Sequence, residues 1–164
     1  MLENQFCFVQ GTVVSELEQT EKYGAIHELI SRAPVFRTVD DILEFEQAVV
    51  AREKSLTTGL GHGVALAHGK SGAVKHFFIA LGRSRKGIDF DAPDGKPVHF
   101  LFLVANPPKL HREYLTAVSA LSRLLRDPRF REKLMEIQTS QELEETLASA
   151  FTHAVECRDP ILSY

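Results

Sequence analysis

Apolar residues recur at helical spacing in some stretches of the chain and run uninterrupted in others, and this alternation predicts the elements. Glu21 to Arg32 places Tyr23, Ile26, Leu29 and Ile30 on one helical face, and Pro34 stops it. Thr38 reads as the N-cap of a second helix from Val39 to Lys54. Asp40 and Asp41 lie near its positive end, and Ile42, Phe45, Val49 and Val50 share a face. Phe8 to Val14, rich in Val, Phe and Thr, suits a first strand. A short apolar run starts at Val64 to Leu66. Lys75 to Leu81 and Val98 to Ala105 carry no polar face, as buried strands do, and Pro107-Pro108 ends the latter. His111 to Leu125 is amphipathic through Leu115, Val118, Leu121, Leu124 and Leu125. Asp127-Pro128 launches a helix from Arg129 to Ile137, and Thr139 or Ser140 caps a last one from Gln141 to about Thr152. Helices beside wholly apolar strands imply an α/β layer structure, with strand order left open.

Composition narrows the class. The 164 residues fit one compact domain, and no Pro/Gly/Ser-rich linker or repeat divides them, so residues 1–164 are read as a single unit. A net charge of −3 without a basic stripe leaves no footprint for a nucleic-acid partner. Arg123, Arg126, Arg129, Arg131 and Lys133 alternate with Asp127 and Glu132, the mark of a solvated helix face. The start of the chain lacks a basic segment followed by an apolar run, and no apolar stretch has the length to span a bilayer. Cys7 and Cys157 form no CxxC or zinc spacing and read as free thiols, so the cytoplasm is the expected compartment.

The candidate chemistry lies in Thr57-Thr58-Gly59-Leu60-Gly61-His62-Gly63-Val64-Ala65-Leu66-Ala67-His68-Gly69. Glycines at alternate positions allow positive φ and close approach. Walker A requires a following Gly-Lys-Ser/Thr, and a dinucleotide fingerprint requires a strand before the glycines and a helix after them. Here a helix precedes and a strand follows, so both nucleotide readings fail. What remains is a glycine turn leading into a strand that delivers a histidine, flanked by Gly69, which leaves the ring open. A neutral imidazole is a good nucleophile and can carry a phosphoryl group as a labile phosphoramidate, although a lone histidine is more often structural. Zinc ligation by His62, His68 and His76 would need spacings that no standard zinc pattern has, and no metal is expected. His27, His99 and His153 have no signature around them.

Thr58, Gly59, Gly61, Gly63, Ala65 and His68, with Leu60 as a conservative stand-in, closely resemble the active-site signature of the fructose–mannitol class of phosphotransferase-system enzyme IIA domains. Leu81-Gly82, Gly87-Ile88-Asp89-Phe90 and Asp94-Gly95-Lys96-Pro97-Val98 look like that family's central segment. Leu121 to Phe130 looks like its late helix pair. The resemblance covers roughly Thr38 to Ala148. It implies a mixed central sheet flanked by helices on both faces, and a phosphocarrier in which His68 is the phosphorylated nucleophile.

It also implies roles for neighbours. His111, at the start of the helix after the apolar strand, occupies the place of a second histidine beside the first, where an N–H donor would stabilise phosphoryl charge. Arg52 matches an arginine at the end of the helix before the turn, and a guanidinium fork suits phosphoryl oxygens. Without the resemblance, His111 reads as a helix cap and Arg52 as a surface residue at a helix C-terminus. Glu53 reads as solvated. Gly59, Gly61 and Gly63 are the backbone of the turn at the phosphoryl site. The implied partners are an HPr-type phosphocarrier as donor and an enzyme IIB, with a cysteine acceptor, as recipient. No cofactor is implied, because donor and acceptor are already activated groups.

Two positions depart from the family pattern. Ala67 stands where proline usually precedes the active histidine, which frees φ there and loosens the strand's presentation of His68. His62 replaces a common asparagine and reads as an exposed loop residue. Two other outputs fit the same fold. One is a nitrogen-type regulatory IIA protein whose phosphorylation state controls binding to target proteins. The other is a non-phosphorylated relative such as the cytoplasmic domain of an anion transporter, which has no need of Arg52, His68 and His111 together.

Overall fold

A computed structural model describes residues 8–156, and the two cysteines lie outside them. The elements run in the order β1 (Val13–Val14), α1 (Lys22–Arg32), a 3-10 turn (Pro34–Thr38), α2 (Ile42–Ser55), β2 (Gly59–Gly61), β3 (Val64–Lys70), β4 (Phe78–Ile88), β5 (Val98–Asn106), α3 (His111–Leu125), α4 (Pro128–Glu136) and α5 (Ser140–Glu156). The strands form one five-stranded sheet in the order β1-β4-β5-β3-β2. β1 runs parallel to β4 and β3 parallel to β5, while β4 with β5 and β2 with β3 are antiparallel. The sheet is mixed, as the resemblance implied.

Alternation along the strands sorts the core into two layers. Ala65, Ala67, Leu101, Leu103 and Ala105 face α1 and α2, packing with Leu29, Phe36, Phe45 and Val49. Val64, Leu66, Phe100, Phe102 and Val104 face the helices of the C-terminal half, packing with Leu121, Leu134, Leu147 and Phe151. Each large side chain sealed this way stabilises the fold by about 1.5–3 kcal/mol. Both faces are therefore apolar, which explains why β5 reads as an unbroken hydrophobic run.

Four boundaries differ from the sequence reading. The first strand shrinks to Val13–Val14, because Gly11 turns the chain at φ +87° and its N–H goes to the Glu144 carboxylate, 2.8 Å away. Thr38 is not a helix cap. It ends the 3-10 turn, with its hydroxyl on the Val35 carbonyl at 2.8 Å, and Asp41 caps α2 by accepting the Glu44 N–H at 3.0 Å. β3 continues past Leu66 to Lys70, carried by its register with β5. β4 continues past Leu81 to Ile88, because the polar run that disguises it holds a buried arginine and a buried serine, Arg83 and Ser84. In the late helices, Asp127 accepts the Arg129 N–H at 2.9 Å, and Thr139 accepts the Glu142 N–H at 3.2 Å as the cap of α5. Leu115, expected on the apolar face of α3, is instead 54% exposed.

Candidate active site

β3 alternates, so that Ala67 and Gly69 point toward α2 while Leu66 and His68 point toward α3. Gly69 is required by packing: a Cβ there would lie 2.5 Å from Val49 Cγ2 and 2.8 Å from Phe45 Cε2. Its small size lets α2 close onto the sheet, which differs from the expected role of opening space around the histidine. Ala67 is fully buried and pairs with Leu103, and the ladder runs on through His68–Val104 to Lys70–Asn106. The strand thus keeps its register without proline.

The His68 ring is half-buried against Tyr114 of α3, with ring centroids 5.5 Å apart. Tyr114 in turn stacks on His111, 6.3 Å away and inclined by 24°. The three rings form a continuous wall at the N-terminus of α3, where unpaired N–H groups and the helix dipole favour an anion. His111 is the first residue of α3. The N-cap is Leu110, which makes no side-chain cap bond, so His111 does not serve as a cap.

Arg52 comes from the opposite layer, at the last turn of α2. Its Nη1 donates to the Leu56 carbonyl at 2.9 Å and approaches Ser55 Oγ at 3.5 Å. The guanidinium is therefore anchored to the chain leaving its helix, and its charge reaches both His68 and Tyr114. Burial first, and Arg52 second, hold the His68 imidazole below its ordinary value, against smaller opposing effects of the Leu66 carbonyl and Glu53. His68 is consequently neutral at neutral pH. Its Nδ1 is sealed from solvent, with the Leu66 carbonyl as the backbone acceptor that acts on the ring, so Nε2 is the nitrogen turned outward. Burial pushes the Tyr114 phenol up, with Arg52 acting in the opposite sense.

Glu53 is where the sequence reading fails. Far from being solvated, it is 2% exposed. Its Oε1 accepts the Thr58 N–H at 2.9 Å and pairs with Lys22 Nζ at 3.2 Å, and its Oε2 accepts the Thr58 hydroxyl at 2.5 Å. The signal lay in the spacing: Phe45, Val49 and Glu53 recur every four residues, so the carboxylate continues the buried stripe of α2.

The glycines shape the β2–β3 hairpin beside this network. Gly61, His62 and Gly63 have φ of +87°, +57° and +78°. His62 is exposed, as expected, and it adopts the left-handed conformation that asparagine tolerates well. Its N–H is taken by Asp94 Oδ2 at 3.1 Å. The Lys96 and His62 backbone N–H groups hold the Asp94 carboxyl below the usual carboxylate range. A Cβ on Gly59 would meet Ala92 Cβ at 2.9 Å, so the loop after β4 presses directly on the turn. The geometry gives these glycines a turn-forming role. Among the described residues, no three His, Cys, Asp or Glu side chains converge as metal ligands, and no helix is long and apolar enough to cross a membrane.

The family model described as "Phosphoenolpyruvate-dependent sugar phosphotransferase system, EIIA 2" matches residues 7–150. The chain belongs to this enzyme IIA family. Its members act as phosphotransferase components, phosphorylated on histidine. The chain is 40% identical over 127 residues to the fructose-specific EIIA component of Haloferax volcanii, covering 77% of this chain and 82% of that protein. The crystal structure of the nitrogen regulatory protein IIA-Ntr from Neisseria meningitidis superposes with a TM-score of 0.78 at 31% identity, over 90% of this chain and 99% of that one. The IIA fold also recurs, at 20% identity and a TM-score of 0.70, in the Escherichia coli complex of enzyme IIA and phosphorylated enzyme IIB for mannitol, covering 88% of this chain and 99% of that one.

Proposed function

We propose that this enzyme IIA protein accepts a phosphoryl group on Nε2 of His68 from an HPr-type phosphocarrier and passes it to a cysteine of an enzyme IIB protein in sugar uptake. The observation that carries the reading is the placement of a neutral, outward-facing imidazole nitrogen between an anchored arginine and a helix N-terminus. The Nε2 lone pair forms the new P–N bond while the donor's P–N bond breaks, and the electron pair leaves with the donor imidazole. Nδ1 would keep its proton throughout, with the Leu66 carbonyl favouring the tautomer that attacks through Nε2. Arg52, whose charge reaches His68, and His111, linked to it through Tyr114, would balance charge on the equatorial oxygens together with the N-terminal N–H groups of α3. Transfer onward reverses this at His68, with the IIB thiolate supplying the electron pair. The step needs no bound cofactor, and the cytoplasm is the compartment where such partners meet.

The experiment is phosphorylation with phosphoenolpyruvate, enzyme I and HPr, read by intact mass beside a His68→Ala variant. One acid-labile phosphoryl group is expected on the native protein and none on the variant. An unmodified native protein, or a modified variant, overturns the assignment.

A second reading is favoured by the 31% identity to a nitrogen regulatory IIA protein across nearly that whole chain. In it, phosphorylation of the same His68 controls binding to a target protein. Phosphohistidine adds about −1.5 to −2 charges at the site, enough for a partner to distinguish the two states. Transfer from the phosphorylated protein to a sugar-specific IIB supports the transport reading, and its failure alongside state-dependent target binding supports the regulatory one.

A further inference from the structure

We infer that Glu53, fixed by the buried Lys22 and bonded twice to Thr58, is a positioning residue for phosphoryl transfer, holding the glycine turn, Arg52 and His68 in one working arrangement. The proposal rests on the phosphocarrier reading and extends it to a residue beneath the site. Three segments meet at this carboxylate. Lys22 belongs to the first turn of α1, Glu53 to the last turns of α2, and Thr58 opens the turn that leads through β2 to β3. Arg52 is the residue immediately before Glu53. Locking Glu53 therefore fixes the backbone from which the guanidinium departs.

The chemistry of the bonds argues for a fixed device. Glu53 accepts from both the N–H and the hydroxyl of one residue, an arrangement that defines the orientation of Thr58 and not merely its distance. Lys22 is 8% exposed, and its Nζ also lies over the rings of Phe90 and Tyr23, at 5.2 and 5.8 Å. Phe90 closes the circuit, because its carbonyl accepts the Thr57 hydroxyl at 2.9 Å. The residue before the site-forming turn and the residue opening it are thus tied to the same buried pair.

The charge also acts on the nucleophile. Arg52 and Glu53 of α2 face His68 electrostatically, with Tyr114 in ring contact from α3 and His111 beyond it. Glu53 raises the basicity of the imidazole while burial and Arg52 lower it. Its negative charge preserves part of the nucleophilicity that burial removes.

The test is Glu53→Gln. Glutamine can keep both contacts with Thr58, since the hydroxyl can turn to accept from the amide, but it loses the charge. The expected result is a further downward shift of the His68 titration by NMR in the unphosphorylated protein. The phosphorylation rate from phospho-HPr is expected to fall by about tenfold, within the range known for misplaced catalytic groups. Folded Glu53→Gln with native His68 titration and a native rate would overturn the proposal. Should this variant fail to fold, Thr58→Val keeps the ion pair and the backbone bond and removes only the hydroxyl. It is expected to slow phosphorylation by a fewfold and to lower the thermal midpoint by several degrees, because Oε2 loses its buried donor, and a native rate there would also overturn the proposal. The His68 titration is independent of any donor, so a native protein that accepts no phosphoryl group sinks the phosphocarrier reading and leaves the electrostatic link still measurable.

Discussion

Arg83 and Glu53 are both sealed from solvent, at 0% and 2% exposure, yet they do opposite things with their charge. Arg83 points into the layer under the C-terminal helices. Its Nε donates to the Ser15 carbonyl at 2.9 Å, and its Nη1 to the carbonyls of Leu134 and Ile137 at 2.7 and 2.5 Å. These last two are orphan acceptors at the C-terminal end of α4, where a cation is favoured. Its neighbours with resolved electrostatic influence are Arg85, which opposes its charge, and Glu16, which supports it. Glu53 has a direct ion-pair partner and is aimed at the one turn that shapes the site. Arg83 and the His68 that Glu53 influences lie at different levels of the sheet. Arg83 pairs with Phe100 and His68 with Val104, four residues apart along β5, or about 13 Å. A charge held through its Nε and Nη1 by main-chain carbonyls of separate elements, with Nη2 buried and unpaired, holds the architecture together. A charge satisfied by a cation and a turn adjusts a reaction.

Breaking the architectural member gives the largest effect. Arg83→Met leaves three carbonyls without their donor and is expected to destabilise the protein by about 3–5 kcal/mol, measured by urea unfolding. The folded fraction should retain the native His68 titration and phosphorylation rate. A large change in either would erase the distinction drawn between the two buried charges.

The next effect is one of pH. Because the folded protein holds His68 below its ordinary value of 6.5, the neutral, attacking form persists as pH falls through 6.5. Phosphorylation should stay level there and decline only at lower pH, as stopped-time assays across a pH series would show. The stability linkage has a definite sign. Protonating this histidine costs more in the folded than in the unfolded chain, so its contribution is complete above 6.5. It is lost as pH falls through the lower, folded value. A decline in phosphorylation centred above 6.5 would contradict both the geometry and the role given to Arg52.

The smallest effect sharpens the comparison from the far end of α2. Asp41→Ala removes the N-cap and should cost about 1 kcal/mol, seen as a lower thermal midpoint, without moving the His68 titration. Helix stability and site tuning would then be separable along one helix.

Much of this was legible in the chain, and the misses have physical causes. The glycine turn and the start of α3 at His111 carried strong local signals, because turn residues and helix boundaries depend on short-range chemistry, whereas the roles expected of His68, Arg52 and His111 came from the family resemblance. The burial of Glu53 and Lys22 did not announce itself. A charge at the end of an apolar stripe looks like the place where the stripe stops, and only the partner on another element shows that it continues. β4 was cut short at Leu81 for the same reason. Arg83 and Ser84 resemble a loop until the carbonyls of α4 supply what the arginine needs. Asp41 displaced Thr38 as the cap of α2 because Pro34 starts a 3-10 turn that uses Thr38 first. Tyr114, the ring linking the two histidines, carried no signal in the sequence. Its importance comes from the crossing of α3 over β3, which no local pattern encodes.

The two outermost strands of the sheet are also its shortest, β1 with 2 residues and β2 with 3, and they bracket inner strands of 7 to 11. A long open ladder on such apolar strands would invite another molecule to add itself edge to edge. Here neither outermost strand is long enough to offer such a ladder. Copies of the protein crowded together should therefore resist fibrous self-association, and each is left free to release one partner before meeting the next.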